Sequence, residues 1–155
     1  MSKKKEDNTN EVLLLQLFED GFATTEVDLI PGKVQAVIRN LGSQDQIQIE
    51  KEMESITGGT PVIIHTYGLK LLGATLIQYG TNVFADRNAA VAFLDKANLS
   101  SALIDKLVKS QNLLEKRVRN ALNMDEIDKV FFAPGSPLEE QKPSLKDMTS
   151  ASEEV

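Results

Sequence analysis

Cysteine and tryptophan are absent from this sequence, and its 155 residues include only one histidine, His65, and two tyrosines, Tyr67 and Tyr79. Without cysteine, neither a disulfide framework nor a thiolate zinc site can form. A zinc site would have to combine His65 with carboxylates, which are sparse around it in sequence. The absence also fits a reducing compartment. Basic charge is scarce as well. Lys and Arg number 17 against 23 Asp and Glu, for a net charge of −6. That balance argues against a general nucleic-acid binder, whose affinity rests on clustered Lys and Arg.

No apolar run is long and clean enough for a membrane span, which takes about 20 predominantly apolar residues. The most apolar stretch, Ser55 to Gly80, is interrupted by His65, Lys70, Gln78, glycines and threonines. The run Val12–Phe18 is short, contains Gln16 and follows Glu6, Asp7 and Glu11, unlike the apolar block of a secretory signal. The expected location is therefore the cytosol.

Signatures of catalysis are equally thin. Thr57–Pro61, TGGTP, resembles a phosphate loop only superficially, because a P-loop follows a strand and places Lys and Ser/Thr directly after its last glycine. Here the next lysine is Lys70. No Gly-x-Ser-x-Gly elbow surrounds a serine, and His65 has no evident partner for base catalysis. The sequence predicts a protein that is not an enzyme, with no cofactor and no metal.

What is present is a pattern of elements. Met1 to about Asn10 is polar and charged, and reads as a disordered arm. Glu11–Asp20 is apolar without a decisive period. Val27 and Leu29, then Val34, Ala36 and Ile38, alternate with mostly polar neighbours on either side of Pro31-Gly32, which predicts a β-hairpin. A two-stranded hairpin is marginal alone, so its apolar face must lie on helices. Ser43 with Gln46 forms a capping-box pattern ahead of Ile49, Met53 and Ile56 at helical spacing. Thr60 and Pro61 read as N-cap and first residue of a helix to Gln78, apolar nearly all round and therefore central. Asp86 is placed to cap a short helix that faces the core with Ala90, Val91 and Leu94.

Ser100 opens a long helix to about Leu122, whose seam is Ile104, Leu107, Gln111, Leu114, Val118 and Ala121. Asp105 with Lys109, and Glu115 with Arg119, are i,i+4 pairs that support a solvated face on that helix. One polar residue in an apolar seam, Gln111, suits either self-association in fixed register or exposure to solvent. From about Ala133 the chain is rich in Pro, Ser and acid and reads as a disordered tail. The fold class is α+β, with one N-terminal β-hairpin packed on a mainly helical bundle. Residues 11–132 form the domain, and residues 1–10 and 133–155 are its disordered ends.

The order of hairpin, acidic helix, apolar helix and further helices resembles the tail assembly chaperones of tailed bacteriophages and the related baseplate-hub assembly proteins. Gly32, Arg39, Leu41 and Ser43 occupy the turn, the Arg-x-Leu element and the helix start of that pattern; Tyr67, Leu71, Leu72 and Gly80 match its Tyr- and Leu-rich helix ending in Gly. The resemblance covers roughly residues 24–122. It implies a protein of the host cytoplasm that shields tape-measure, tube or hub proteins during tail assembly, and a tail suited to a frameshift junction. The alternative is a permanent structural subunit of the virion tail or baseplate. Such a chaperone works through an apolar surface. Leu107, Leu114 and Val118 of the seam, with Phe131 and Phe132 at the start of the tail, are the candidate partner-binding residues, against ordinary packing within the chain.

Overall fold

A computed structural model describes residues 2–124 and 126. The chain divides after Ala121 into two compact units. Of the second unit, only the turn around Asn123 is described, where the Glu126 amide donates to the Asn123 carbonyl at 3.1 Å. The expected 11–132 domain extends past this division, and the expected tail, residues 133–155, lies outside the described residues.

The first unit is α+β. Its elements run α1 (Ser2–Glu19), β1 (Thr24–Ile30), β2 (Val34–Arg39), α2 (Ser43–Met53), α3 (Thr60–Thr75), β3 (Leu76–Tyr79), β4 (Asn82–Val83), α4 (Arg87–Ala97) and α5 (Ser101–Ala121). The strands form one antiparallel sheet in the order β1-β2-β3-β4.

The β1–β2 hairpin follows from its turn chemistry. Pro31 and Gly32 are the central residues of a turn closed by the Lys33 amide donating to the Ile30 carbonyl at 2.9 Å. Gly32 has φ +70, as the third position of a type II turn requires. Val27, Leu29, Ala36 and Ile38 are all buried on one face, so the alternation in sequence is the alternation in space. Outer strand β1 carries exposed Glu26 and Asp28. Lys106 Nζ donates to the Asp28 carbonyl, and the Thr24 amide donates to Gln16 Oε1 at 3.2 Å. Charge and side-chain bonds thus protect an edge that would otherwise recruit another strand.

The hairpin is present and is extended, and other expectations are corrected. Residues 2–10, read as a disordered arm, are the first half of α1. Lys and Glu are good helix formers, and a helix anchored further along, by Leu13 and Leu17 on α5, extends at low cost. The single hairpin is half of a four-stranded sheet, because the apolar helix ends at Thr75 rather than Gln78. Leu76, Gln78 and Tyr79 pair instead with β2, in a segment whose β-branched Ile77 and aromatic Tyr79 fit a half-buried sheet. Gly80, with φ +60, then begins the two-residue loop to β4. Finally, neither Ser43 nor Thr60 is an N-cap. Gly42 and Gly59 hold those positions without side-chain bonds, and Gln46 bonds along its own helix to Glu50 at 3.1 Å. The Asp86 cap does form, accepting from the Ala89 amide at 2.9 Å.

The main core joins Val27, Leu29, Ala36 and Ile38 of the sheet to Leu72, Leu76, Leu94, Ile104 and Leu107. A smaller cluster, Leu13, Ala23, Leu114 and Val118, fixes α1 to the other end of α5. The α5 seam therefore serves both. Two glycines of α3 permit the helix packing. A Cβ on Gly73 would sit 2.7 Å from Val91 Cγ2 of α4, and one on Gly68 would sit 3.4 Å from Val108 Cγ2 of α5.

Candidate functional site

The burial of the α5 seam settles where its residues work. Leu107, Leu114 and Val118 are 0%, 1% and 6% exposed, all within the first unit. As candidate partner-binding residues they are corrected: their apolar surface is already used against the sheet, α3 and α1, which leaves nothing for a second protein to cover. Gln111 is buried with them. Its Nε2 donates to Glu115 Oε1 at 2.6 Å, and the same oxygen accepts from the Leu41 amide. The polar residue of the seam thus ties the β2–α2 connection to α5, an internal register device. Phe131 and Phe132 lie outside the described residues.

Arg39, at the end of β2, is a pin in the same sense. Arg39 donates from Nε to the Ala74 carbonyl at 3.2 Å and pairs through Nη2 with Asp45 at 2.9 Å. Its guanidinium carbon lies 5.4 Å from the centre of the Phe22 ring. One arginine therefore joins β2, the end of α3 and the first turn of α2, with a cation–π contact to the segment before β1. A second pin is Glu52 of α2. It accepts from Lys70 Nζ of α3 at 2.7 Å and pairs with Arg87 of α4 at 3.5 Å. The Lys70 hydrogen bond leads the effects that hold the Glu52 carboxyl below its ordinary pKa; Gln48 and the charge of Arg87 add to it, against the opposing effect of desolvation. These charges border a cavity of about 400 Å³ between α2, α3 and α4; Nη1 of Arg87 is itself buried without a hydrogen-bond partner.

The surface that sequence reasoning missed is the first half of α3. Val62, Ile63, Ile64 and Tyr67 are 52%, 40%, 66% and 42% exposed. No formally charged side chain occurs between Glu54 and Lys70. Beside this ridge runs an apolar groove of about 600 Å³, formed by Pro61, Ile64, Tyr67 and Gly68 of α3 against Ile104 and Val108 of α5. Gly68 keeps its floor open, having no side chain to fill it. Asp105, paired with Lys109 at 2.7 Å, is the only carboxylate lining it, and His65 lines it too, as an exposed residue.

No family model, curated protein or solved structure matches this chain.

Chemistry therefore has to be read from side chains alone. Among the described residues no group of three or more His, Cys, Asp or Glu is placed to hold a metal ion. No described helix is long and apolar enough to cross a membrane. Tyr79, the second tyrosine, packs at 5.1 Å between ring centres on Phe93, which contacts Phe84 at the same distance, so it belongs to the core and not to the ridge. The signal for the ridge was present in the sequence as a charge-free apolar segment directly after Gly58-Gly59. It was masked because an apolar helix start and an apolar helix core look alike in composition.

Proposed function

We propose that this chain is a non-enzymatic assembly chaperone of the tailed-phage kind, which binds an apolar helical segment of a tape-measure, tube or hub protein during tail assembly in the host cytoplasm. The observation that carries this reading is the uncharged ridge Val62–Tyr67 beside the α3–α5 groove. Four large side chains are left substantially exposed, and a helix laid into the groove would cover them. An acidic remainder keeps the protein soluble while that face is open. The arrangement of Gly32, Arg39, Leu41 and Ser43 supports the kinship, with Arg39 and Leu41 acting as clamps of the domain and not as contacts to a partner.

The test is co-expression of the tagged chain with the tail and baseplate proteins of its own genome, with mass spectrometry of finished particles. Retention of a tape-measure, tube or hub protein, loss of that retention in Ile64→Glu, and absence of the chain from mature virions are the expected results. Stoichiometric presence in the particle would instead make it a permanent tail or baseplate subunit.

A further inference from the structure

We infer that residues 54–67 form a strap that opens as one unit, hinged on Gly58-Gly59 and on Gly68, and that its opening widens the α3–α5 groove while the core stays folded. This concerns how the face moves, whatever it binds, and so goes beyond the proposed function.

Lack of packing is the first reason. A helix in a folded protein is held mostly by an apolar face laid on its neighbours, and less by propensity. Of residues 60–67 only Thr66 is half-buried, and the other seven are exposed. The connection before them is exposed too, apart from half-buried Ile56. Towards α5 these turns border the groove of about 600 Å³, a gap where a packed contact would otherwise lie.

Local preference is the second reason. Thr60, Val62, Ile63, Ile64 and Thr66 are β-branched and lose χ1 freedom in a helix, whereas residues 68–75 contain one such residue, Thr75. The helix start adds little. Gly59 makes no side-chain cap bond, and no acidic residue in the first turn meets the helix dipole.

The limits of the unit give the third. Gly58 has φ +145, a backbone suited to glycine, and Gly68 weakens the helix at the point where burial begins. Beyond these limits the chain is anchored on both sides. Ile49 and Leu71 are 1% and 3% exposed. Lys70 Nζ donates to Glu52 Oε2 at 2.7 Å and closes the base of the strap between α2 and α3. Arg87 of α4 pairs with the same carboxylate at 3.5 Å. Pro61, Ile64 and Tyr67 ride on the strap, while Ile104 and Val108 stay with α5, so opening draws one wall of the groove away from the other.

Native-state hydrogen exchange of the full-length chain alone, at several sub-denaturing concentrations of guanidinium, is the test. The amides of Ile64, His65, Thr66 and Tyr67 should share one opening constant, at least about 100-fold larger than that of Leu72 and Gly73. It should depend little on denaturant, because a local opening exposes little surface. Protection equal to that of Leu72, with the same denaturant dependence, overturns the inference. So does protection that climbs residue by residue from Ile64 to Leu72 with no step at Gly68, which is ordinary end fraying. Proteolysis is a second readout. Thermolysin, which cuts before large aliphatic residues, should nick the native chain within residues 61–64 and spare residues 69–79; cleavage there only at the rate of global unfolding also overturns it. Both readouts need no client. A strap that fails them leaves the proposed function to the co-expression test, and an empty co-expression test leaves the strap standing.

Discussion

Thr60–Tyr67 and Gly68–Thr75 are two halves of one helix with opposite fates. Each half holds three large aliphatic residues: Val62, Ile63 and Ile64 in the first, Leu69, Leu71 and Leu72 in the second. The second half even carries the only formal charge, Lys70. Composition would bury the first half at least as deeply. Instead Ile64 is 66% exposed and Leu72 is 0% exposed. The difference lies in the neighbours. In the second half Gly68 and Gly73 lie against Val108 of α5 and Val91 of α4, and Leu72 joins the main core with the sheet, whereas in the first half residues 60–65 and Tyr67 are all exposed. Burial is a property of what surrounds a segment, and apolar content sets only what the segment gains when something does.

The sharpest way to break this comparison is truncation on both sides of it. Leu72→Ala should lower unfolding free energy by about 3 kcal/mol, through lost transfer energy and the cavity left in the main core. Ile64→Ala should change it by less than about 0.5 kcal/mol, as surface replacements do. Chemical denaturation of the two variants measures both; equal losses would mean that the ridge is packed within the chain after all.

Next in size is the close approach of α4. Gly73→Ala places a methyl group 2.7 Å from Val91 Cγ2, inside contact distance. Overpacking of this kind should cost about 2 kcal/mol. Adding Val91→Ala should recover part of that loss, because the two changes share one contact and are not additive. A double variant no more stable than Gly73→Ala alone would assign the glycine some other role.

A smaller effect concerns the pin that joins α2, α3 and α4. Since the folded protein holds the Glu52 carboxyl below its ordinary pKa, the carboxylate stabilises the fold above the unfolded value of roughly 4.3. That stabilisation fades as pH falls through the lowered folded value. The stability difference between wild type and Glu52→Gln should therefore be present at neutral pH and shrink in acid. Thermal melts across that range check the sign, and a difference that grows on acidification would contradict the assignment.

Smallest of all should be Gly68→Ala. Its new Cβ would lie 3.4 Å from Val108 Cγ2, near ordinary contact, and removing a helical glycine gains up to about 1 kcal/mol. The two effects oppose, so stability should stay within about 0.5 kcal/mol of wild type. The same methyl group partly fills the groove floor, and binding should weaken where stability does not. A titration of any protein that the chain retains in the co-expression test, against wild type and variant, reads that separation.

The parts of the fold visible in the sequence are those written in local chemistry. Pro31-Gly32 encodes its turn through a fixed φ and a left-handed one. Asp86 encodes a cap because its short carboxylate reaches the Ala89 amide. The α5 seam is legible because its period matches the helix over 21 residues, and all six of its residues are buried. Parts hidden from it depend on partners distant in sequence. Leu76–Tyr79 follows on from a helical period and becomes a strand because β2 offers it backbone hydrogen bonds. Ser43 and Thr60 have capping chemistry, but glycine supplies the extended backbone immediately before each helix. The candidate surface was hidden for the same reason. The seam was the more regular apolar pattern and drew the partner-binding assignment, although regularity is what packs best inside.

The sequence by itself determined the α+β class, the first hairpin, the positions of α2, α4 and α5, and the exclusion of thiolate and disulfide chemistry. Each follows from dihedral limits, side-chain reach or composition within a few residues. Only the tertiary structure decided that α3 gives way to a strand at Leu76, that Leu107, Leu114 and Val118 are interior, and that Val62, Ile63, Ile64 and Tyr67 meet water. Those outcomes depend on which surfaces face one another across the domain, and apolar attraction, having no direction of its own, does not encode that locally.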